Sequence, residues 1–234
     1  MWLYYLNSRL KICVNMCDRD IFIITSVINT GNRPWSYTSQ RSIYTPQERF
    51  VQTLESIQSI RLYAPSSLII LTECSDISEY MMSELQIYAD VVIQLNQDPQ
   101  IRHACLESPI KGLGELWKLL AAIDYIQNNH IQFRRLFKLS ARYSLTERFD
   151  ISAFSDTAFG FMFGNPPEAC TILYSVPHTL LATYIQALKN CISIFNTHRV
   201  SLECILPENC VPHSTVRVLG ITGQIAIDHS QVNA

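Results

Sequence analysis

The sequence has few charged residues and no cluster of basic ones. Charged side chains make up 16% of the 234 residues, and the formal net charge is −2 at pH 7. Domains that bind duplex nucleic acid or an anionic membrane surface usually carry a basic patch. We therefore expect no nucleic-acid partner. Apolar residues make up 48% of the chain, which excludes an intrinsically disordered protein.

Cysteine pairs and metal-binding motifs are also missing. The chain has eight cysteines, but no Cys-x-x-Cys, His-x-x-x-His or His-Glu-x-x-His occurs. A zinc site and a secreted disulfide framework both depend on such pairing, so we predict buried, reduced thiols instead. The Gly-x-Ser-x-Gly elbow of a hydrolase is absent as well.

Long apolar runs do not occur. The apolar start of the chain is interrupted by Asn7 and Arg9 before it reaches the length of a signal peptide. Elsewhere no run approaches the roughly 18 apolar residues of a transmembrane helix. We predict a protein with no membrane span and a cytoplasmic location.

Strand-like and helix-like patterns alternate along the chain. β-Branched apolar runs occupy residues 20–28, 67–72, 91–95 and 135–140, and amphipathic helical patterns lie between them. The first of these helices begins with a capping box, formed by Thr45, Pro46 and Glu48. Such alternation predicts an α/β domain with a mostly parallel sheet and helices on both faces.

The pattern changes in the C-terminal part of the chain. Short strands are predicted at 216–219 and 224–227, after two others and a helix. We expect a smaller, mixed β/α part here, within a single domain over residues 20–234. Residues 1–19 are predicted to be a peripheral leader.

Ligands of open α/β sheets bind outside the carboxyl ends of the strands. Candidate binding residues there are Thr25 and Ser26, at the end of the first strand, and Arg41, in the long loop that follows. Glu73 ends the second strand, and Ser140, Arg142 and Tyr143 follow the fourth.

A Lys-Gly-Leu-Gly-Glu segment, residues 111–115, opens the third helix. Glycines at a helix N-terminus let the backbone approach an anion, so Lys111, Gly112, Gly114 and Glu115 are candidate phosphate-binding residues. Tight helix packing is the alternative explanation for the two glycines.

The fourth strand carries a basic face. Alternation along the strand places Lys138, Ser140 and Arg142 on the same side. Buried basic groups are costly unless an anion or carboxylates neutralise them. Contact with an anionic ligand and ion pairing to Glu115 or Glu73 are both compatible with the pattern.

The segment Lys-Leu-Ser-Ala-Arg-Tyr, residues 138–143, resembles a group of GT-A-type glycosyltransferases, as do the stretches at 22–29, 111–115 and 219–226. The resemblance implies a Rossmann-like GT-A fold. It also implies transfer of a sugar from a UDP- or GDP-sugar donor to a glycan or other hydroxyl acceptor.

One feature departs from that family. Most GT-A enzymes hold Mn²⁺ or Mg²⁺ with an Asp-x-Asp at the position where this sequence has Ser-Ala-Arg, residues 140–142. The only Asp-x-Asp, at 18–20, precedes the first strand and lies at the wrong edge of the sheet. Use of a divalent metal is therefore an open question. Lys111, Lys138 and Arg142 are candidates to neutralise the donor diphosphate instead.

The remaining role is that of a catalytic base. An inverting enzyme needs a carboxylate near the acceptor hydroxyl, and Glu203 and Glu73 are the candidates. Two alternatives stay open: a catalytically silent relative that binds a sugar nucleotide or a partner, and another Rossmann-like nucleotide-dependent transferase.

Overall fold

The computed structural model describes residues 4–6, 19–198, 200–228 and 230–234. Its strands are β1 (Tyr4–Leu6), β2 (Ile21–Ser26), β3 (Leu68–Glu73), β4 (Val91–Gln94), β5 (Arg135–Ser140), β6 (Tyr143–Leu145), β7 (Phe159–Phe161), β8 (Leu173–Pro177), β9 (His213–Thr215), β10 (Ile221–Gln224) and β11 (Gln231–Asn233). Its α-helices are α1 (Pro46–Tyr63), α2 (Glu79–Tyr88), α3 (Pro99–Arg102), α4 (Leu113–Asn128), α5 (Leu181–Phe195) and α6 (Leu202–Asn209). A π-helical turn, His103–Glu107, links α3 to the segment before α4.

An eight-stranded sheet forms the centre of the molecule, in the order β1-β4-β3-β2-β5-β8-β7-β9. The strands β4, β3, β2 and β5 are parallel to one another, whereas β8 runs antiparallel to both β5 and β7. A smaller antiparallel sheet has the order β11-β10-β6. The predicted mostly parallel sheet and the mixed C-terminal part are confirmed.

Helices cover both faces of the central sheet. Every residue of β2 is buried, as its continuous apolar sequence predicts. Ile21 and Ile23 belong to the core cluster that α4, α5 and α6 complete, while Phe22 and Ile24 belong to the cluster with α1 and α2. Because successive side chains of a strand point to opposite faces, one strand supplies both cores.

The predicted start of α1 is confirmed in detail. The Thr45 hydroxyl accepts a hydrogen bond from the backbone N–H of Glu48, and the Glu48 carboxylate accepts one from the backbone N–H of Thr45. Pro46 occupies the first turn, where its missing N–H costs nothing. This capping box fixes where the long loop after β2 ends.

Helix α2 follows two residues that could each cap it, Asp76 and Ser78. It starts at Glu79, and Ser78 rather than Asp76 caps it through a hydrogen bond to the first turn. Asp76 instead forms an ion pair with Arg102 at 2.8 Å. Both residue types cap helices well, so the sequence pattern could not separate them.

The C-terminal strands also differ from prediction. Strands expected at 216–219 and 224–227 are replaced by β9 and β10, each a few residues earlier. Helix α6 was not predicted, because it is short and contains Pro207, which usually ends a helical pattern. These elements bring the C-terminal segment back to the carboxyl end of the central sheet.

Part of the N-terminal leader lies against the sheet. Strand β1 pairs antiparallel with β4 at the sheet edge, with Tyr4 opposite Ile93. The division into a leader and a domain over 20–234 stays a prediction. None of the helices within the described ranges has the length and apolar character needed to span a bilayer.

The cysteines for which the structure gives a placement are free thiols. Burial raises the pKa of Cys191 to about 12, so this thiol stays protonated at neutral pH. Cys13 and Cys17 lie outside the described residues. Of the described thiols, Cys170 and Cys204 are only partly buried, which the sequence analysis did not predict. The others are buried, as predicted: Cys74, Cys105, Cys191 and Cys210.

A buried ion pair anchors the amino end of the sheet. Asp20 and Arg135, each almost fully buried, pair at 2.9 Å, and Arg134 adds a second contact to Asp20 at 2.8 Å. Burial alone would raise the pKa of Asp20, but hydrogen bonds from Arg135 and Arg134 hold it below its ordinary value. Asp20, the second aspartate of the Asp-x-Asp, thus has a structural role, in line with its position before β2. Asp18 lies outside the described residues.

Replacing Asp20 should destabilise the fold strongly. Asp20→Asn leaves the buried Arg135 charge with only the exposed carboxylate of Asp156, at 3.4 Å, and we expect the free energy of unfolding to fall by about 3–5 kcal/mol. The folded-state pKa of Asp20 is depressed, so its contribution is present above its unfolded pKa of about 4 and disappears as the pH falls through the folded value. We therefore expect the free energy of unfolding, measured with urea, to fall less in the variant than in the parent when the pH is lowered from 7 to 3.

Asp156→Asn is the matched control. Asp156 approaches the same guanidinium of Arg135 at 3.4 Å, but its side chain is 55% exposed. Its removal should cost about 1 kcal/mol or less. Equal losses in the two variants would contradict the assignment of the buried pair as the anchor.

Candidate functional site

A crevice opens where the strand order reverses. From β2 the chain builds the sheet towards β3 and β4, and then returns to place β5 on the other side of β2. The loops that leave β2 and β5 diverge there, which is the usual ligand position in open α/β sheets. The crevice has two adjoining lobes, with volumes of about 270 Å³ and 520 Å³.

The first lobe lies directly over the carboxyl ends of β2 and β5. The second lobe continues from it towards α6 and the segment that precedes it. Residues shared by both lobes are Tyr37, Lys111, Glu115, Ser140, Arg142, Tyr143, Ile172 and Glu203. The first lobe adds, among others, Thr25, Trp35, Arg41, Arg49, Cys105, Gly114, Lys118 and residues 225–227.

Most of the predicted binding residues therefore meet in one place. The crevice brings together Thr25, Arg41, Lys111, Gly112, Gly114, Glu115, Ser140, Arg142, Tyr143 and Glu203. Three predicted residues, Ser26, Glu73 and Lys138, are not part of its lining.

Basic side chains outnumber acidic ones in the first lobe. Among the described residues that line it, only Glu115 and Glu203 carry a carboxylate. Among the ion pairs of the described residues, no carboxylate pairs with any of the basic side chains of the lobe. The lobe thus carries an excess of positive charge, from Arg41, Arg49, Lys111, Lys118 and Arg142.

Arg49 and Lys118 were missed by the sequence analysis. Arg49 donates to the carbonyl of Val27 at 2.7 Å, and burial together with the charge of Arg142 lowers the pKa of Arg49 to about 9. Lys118 donates to the carbonyl of Ser26 at 2.9 Å and is 4% exposed. The available signal was a basic residue on the otherwise buried stripe of each helix, four residues before Thr53 in α1 and four before Ala122 in α4.

Arg142 has an unusual backbone conformation. Its φ angle is +93°, in a region that side-chain-bearing residues seldom adopt. The backbone N–H donates to Ser56 Oγ at 3.1 Å, and the guanidinium donates to the carbonyl of Gln224 at 3.1 Å and lies 5.4 Å from the Tyr143 ring. These contacts hold a partly exposed guanidinium at the junction of the two lobes. Strain of this kind, about 1–3 kcal/mol, often marks a functional position.

Lys138 lies beneath the crevice rather than in it. Its side chain is fully buried, and its ammonium pairs with Glu115 at 2.7 Å and donates to Ser140 Oγ, also at 2.7 Å. Burial lowers the pKa of Lys138, and the charge of Glu115 opposes that shift. The ion-pair interpretation therefore holds for Lys138, and the prediction that it contacts the ligand is not supported. The pair does support Ser140 and Glu115, which line both lobes.

Arg41 has a structural role in the long loop. Its guanidinium donates to the carbonyl groups of Arg33, Cys105 and Ser108, and it lies 3.8 Å from the Trp35 ring centroid. These bonds hold the loop against the π-helical turn and leave Arg41 few free donors. Arg41 thus adds charge to the first lobe without being directed at a ligand.

Glu73 and Ser26 are directed away from the crevice. The buried carboxylate of Glu73 accepts hydrogen bonds from the backbone N–H groups of Ile28 and Ser75 and from the Ser75 hydroxyl. The Ser26 hydroxyl lies 3.3 Å from Thr53 Oγ1 inside the fold. Because Glu73 does not reach the crevice, the structure leaves Glu203 as the better placed of the two predicted bases.

Glu203 lies where the two lobes meet. Its carboxylate accepts hydrogen bonds from Ser201 Oγ at 2.5 Å and from Thr171 Oγ1 at 3.3 Å. Burial alone would raise its pKa, but the bonds from Ser201 and the backbone, together with nearby Lys111, lower the pKa below its ordinary value. Glu203 is thus ionised at neutral pH and held in one orientation.

The two glycines of the 111–115 segment are required by packing. A Cβ on Gly114 would lie 2.7 Å from Cys105 Sγ and 2.8 Å from Cys105 Cα, and a Cβ on Gly112 would lie 2.9 Å from the Phe195 ring. Because glycine has no side chain, α4 can approach the π-helical turn and α5 closely at these two positions. The structure supports this explanation rather than the predicted approach of the backbone to a phosphate.

The crevice does not offer a divalent-metal site. Strand β5 ends in Ser140, and Ala141 and Arg142 follow it, so no carboxylate stands directly after this strand. Of the two carboxylates in the lining, Glu115 pairs with Lys138 and Glu203 accepts hydrogen bonds from hydroxyls. The part of the chain that the structure describes contains no group of three or more His, Cys, Asp or Glu side chains that could hold a metal ion. These residues do not fit Mn²⁺ or Mg²⁺.

Comparison with known proteins identifies the fold. No family model and no curated protein matches the sequence. The 4-diphosphocytidyl-2C-methyl-D-erythritol synthase of Anaerococcus prevotii is similar in structure, with a TM-score of 0.50 at 10% identity over 91% of this chain and 92% of the synthase. The chain has a nucleotide-diphospho-sugar-transferase-like, GT-A-type fold. At this identity the likeness shows the fold alone, and it agrees with the Rossmann-like fold that the sequence predicted.

Two further solved structures are more distant. A nucleoside-diphosphate-sugar pyrophosphorylase of Vibrio cholerae gives a TM-score of 0.47 at 8% identity, over 86% of this chain and 94% of that protein. A glycosyltransferase involved in glycosylation of the major capsid of PBCV-1 gives 0.37 at 12% identity, over 82% of this chain and 70% of that one.

Gly114→Ala should act on folding. The added methyl group meets backbone as well as side-chain atoms of Cys105, and overpacking of this kind costs about 1–3 kcal/mol. We expect a lower thermal midpoint and an unchanged nucleotide affinity for the fraction that folds. Gly164→Ala is the control, because nothing lies near its added Cβ. An unchanged midpoint with weakened nucleotide binding would restore the phosphate-contact explanation.

Proposed function

We propose that this protein is a glycosyltransferase that moves a sugar from a UDP- or GDP-sugar donor to a hydroxyl group of a glycan or other acceptor. The observation that carries the proposal is the unpaired positive charge of the first lobe, at the switch point of a GT-A-type fold. A diphosphate is the anion that a nucleotide-sugar would bring to this position. Fixed guanidinium and ammonium groups bind its oxygens through charge-assisted hydrogen bonds.

The basic residues replace the metal of other GT-A enzymes in this proposal. When the bond between the sugar and the diphosphate breaks, negative charge grows on the leaving diphosphate. Arg142, Lys111, Lys118 and Arg49 surround the first lobe and would stabilise that charge. Because hydrogen bonds to backbone carbonyls hold Arg49, Lys118 and Arg142 before the donor arrives, little reorganisation of these groups is needed as the charge develops.

Glu203 is the proposed base. It is ionised, it is oriented by two hydroxyl groups, and it lines both lobes, as Arg142 does. A hydroxyl bound in the second lobe would meet both the carboxylate and the sugar carbon. Glu203 would take the hydroxyl proton as the oxygen attacks and the nucleoside diphosphate departs. This assignment corresponds to an inverting reaction.

Variants of Arg142 test the proposal in a donor-panel assay. Release of UDP or GDP is measured for UDP- and GDP-sugars with a mixture of hydroxyl acceptors, in the presence of EDTA. Arg142→Ala should lower kcat/KM about 30- to 1,000-fold, equivalent to about 2–4 kcal/mol of transition-state stabilisation. Arg142→Lys should restore it only in part, because an ammonium lacks the bidentate fork.

Two variants make the result specific. Arg142→Gly relieves the positive φ, so it should lose activity while its thermal midpoint stays equal or rises. Arg148→Ala removes an exposed arginine from the same region and should leave activity unchanged. Normal turnover by Arg142→Ala, or activity that EDTA abolishes and Mn²⁺ restores, would contradict the proposed mechanism. Donor binding without any turnover would instead identify a catalytically silent relative.

A further inference from the structure

Two cysteine thiols contact each other beside the first lobe. Cys74 directly follows β3, and Cys105 lies in the π-helical turn before α4. The Cys74 thiol donates a hydrogen bond to Cys105 Sγ, and the Cys105 thiol donates to the carbonyl of Gly114 at 3.6 Å. Both cysteines belong to the core cluster that α4, α5 and α6 complete. The fold thus brings together two sulfur atoms that are far apart in the sequence.

The two thiols differ in their surroundings. Cys105 lines the first lobe, together with Lys118 and Arg41, whereas Cys74 is fully buried and is not part of the lining. The hydrogen bond from Cys74 lowers the pKa of Cys105, and the charges of Lys118 and Arg41 add to this effect against that of burial. Burial and the bond to Cys105 raise the pKa of Cys74. The thiol at the lobe is therefore the more readily ionised and more nucleophilic of the two.

We infer that Cys105 is a site of oxidation by hydrogen peroxide and that Cys74 converts the product into a disulfide. Redox-sensitive cysteines typically have a low pKa and a resolving cysteine next to them. Cys105 is only 4% exposed, but it lines a lobe that a molecule as small as hydrogen peroxide can enter. The proposed sugar transfer gives these two thiols no role, and the inference does not depend on it.

The oxidation takes two steps. The Cys105 thiolate attacks one peroxide oxygen, so an S–O bond forms, the O–O bond breaks, and the departing hydroxide takes up a proton. The Cys74 sulfur then attacks the sulfenic acid, so the S–S bond forms, the S–O bond breaks, and the hydroxide leaves with the Cys74 proton as water. In total, two thiols are oxidised to one disulfide, and one hydrogen peroxide is reduced to two waters.

The disulfide joins the end of β3 to the π-helical turn. The carbonyl of Cys105 accepts a hydrogen bond from Arg41 at 2.8 Å, so this turn also holds the long loop after β2. The two sulfur atoms must approach from hydrogen-bond contact to the bond length of about 2 Å. Oxidation therefore changes the wall of the first lobe.

Peroxide treatment of the full chain tests the inference. After digestion, mass spectrometry should find the peptides of Cys74 and Cys105 joined by a bond that a reducing agent cleaves. Cys191 and Cys210 are the internal control, because both are buried and neither is part of the lining of the crevice. We expect Cys105 to be oxidised at least about tenfold faster than Cys191, since burial raises the pKa of Cys191 to about 12.

Serine variants separate the roles of the two thiols. Cys74→Ser lacks the resolving thiol, so Cys105 should accumulate as a sulfenic acid that dimedone labels. Cys105→Ser should leave Cys74 reduced, because Cys74 is buried and protonated. Cys204→Ser removes a more accessible thiol outside the crevice and should leave the cross-link intact.

The parent chain alone can overturn the inference, whether or not the variants fold. Peptides in which Cys74 and Cys105 both remain reduced after peroxide treatment would contradict it. Oxidation of Cys191 and Cys210 at the same rate as Cys74 and Cys105 would also contradict it, because the reaction would then not depend on the first lobe.

Discussion

The central physical constraint in this protein is the burial of positive charge without a carboxylate partner, which costs free energy of folding. Arg49 and Lys118 are almost completely buried, and the hydrogen bonds described for them go to backbone carbonyls and a hydroxyl. A fold retains such groups at the expense of stability, since hydrophobic replacements would pack more favourably. The location of these two side chains accounts for their retention, because both line the crevice between β2 and β5.

Basic residues have two distinct roles in this chain. At the amino end of the sheet Arg135 is neutralised by Asp20, and beneath the crevice Lys138 is neutralised by Glu115. Both pairs organise the parallel strands and leave no net charge. At the carboxyl end, around Arg142, the described basic side chains of the first lobe form no ion pair with a carboxylate. The proposed diphosphate site thus lies where the fold concentrates unbalanced charge.

Local signals in the sequence predicted most of the fold. The capping box at Thr45 and the alternation of buried strands with amphipathic helices depend on neighbouring residues, so they can be recognised in one sequence. The partners of Lys138 and the packing of Gly114 depend on residues brought together by the fold, and the sequence left two explanations open for each. Arg49 and Lys118 were missed because only the tertiary structure shows that the buried faces of α1 and α4 reach the crevice.

The affinity for a diphosphate in the absence of metal tests the central claim most directly. Calorimetry in EDTA would compare UDP with uridine and GDP with guanosine, so that each pair differs only in the diphosphate. We expect UDP or GDP to bind at least about 100-fold more tightly than its nucleoside, with a gain that shrinks as ionic strength rises. Equal affinities within both pairs, or a gain that appears only when Mn²⁺ is added, would contradict the account.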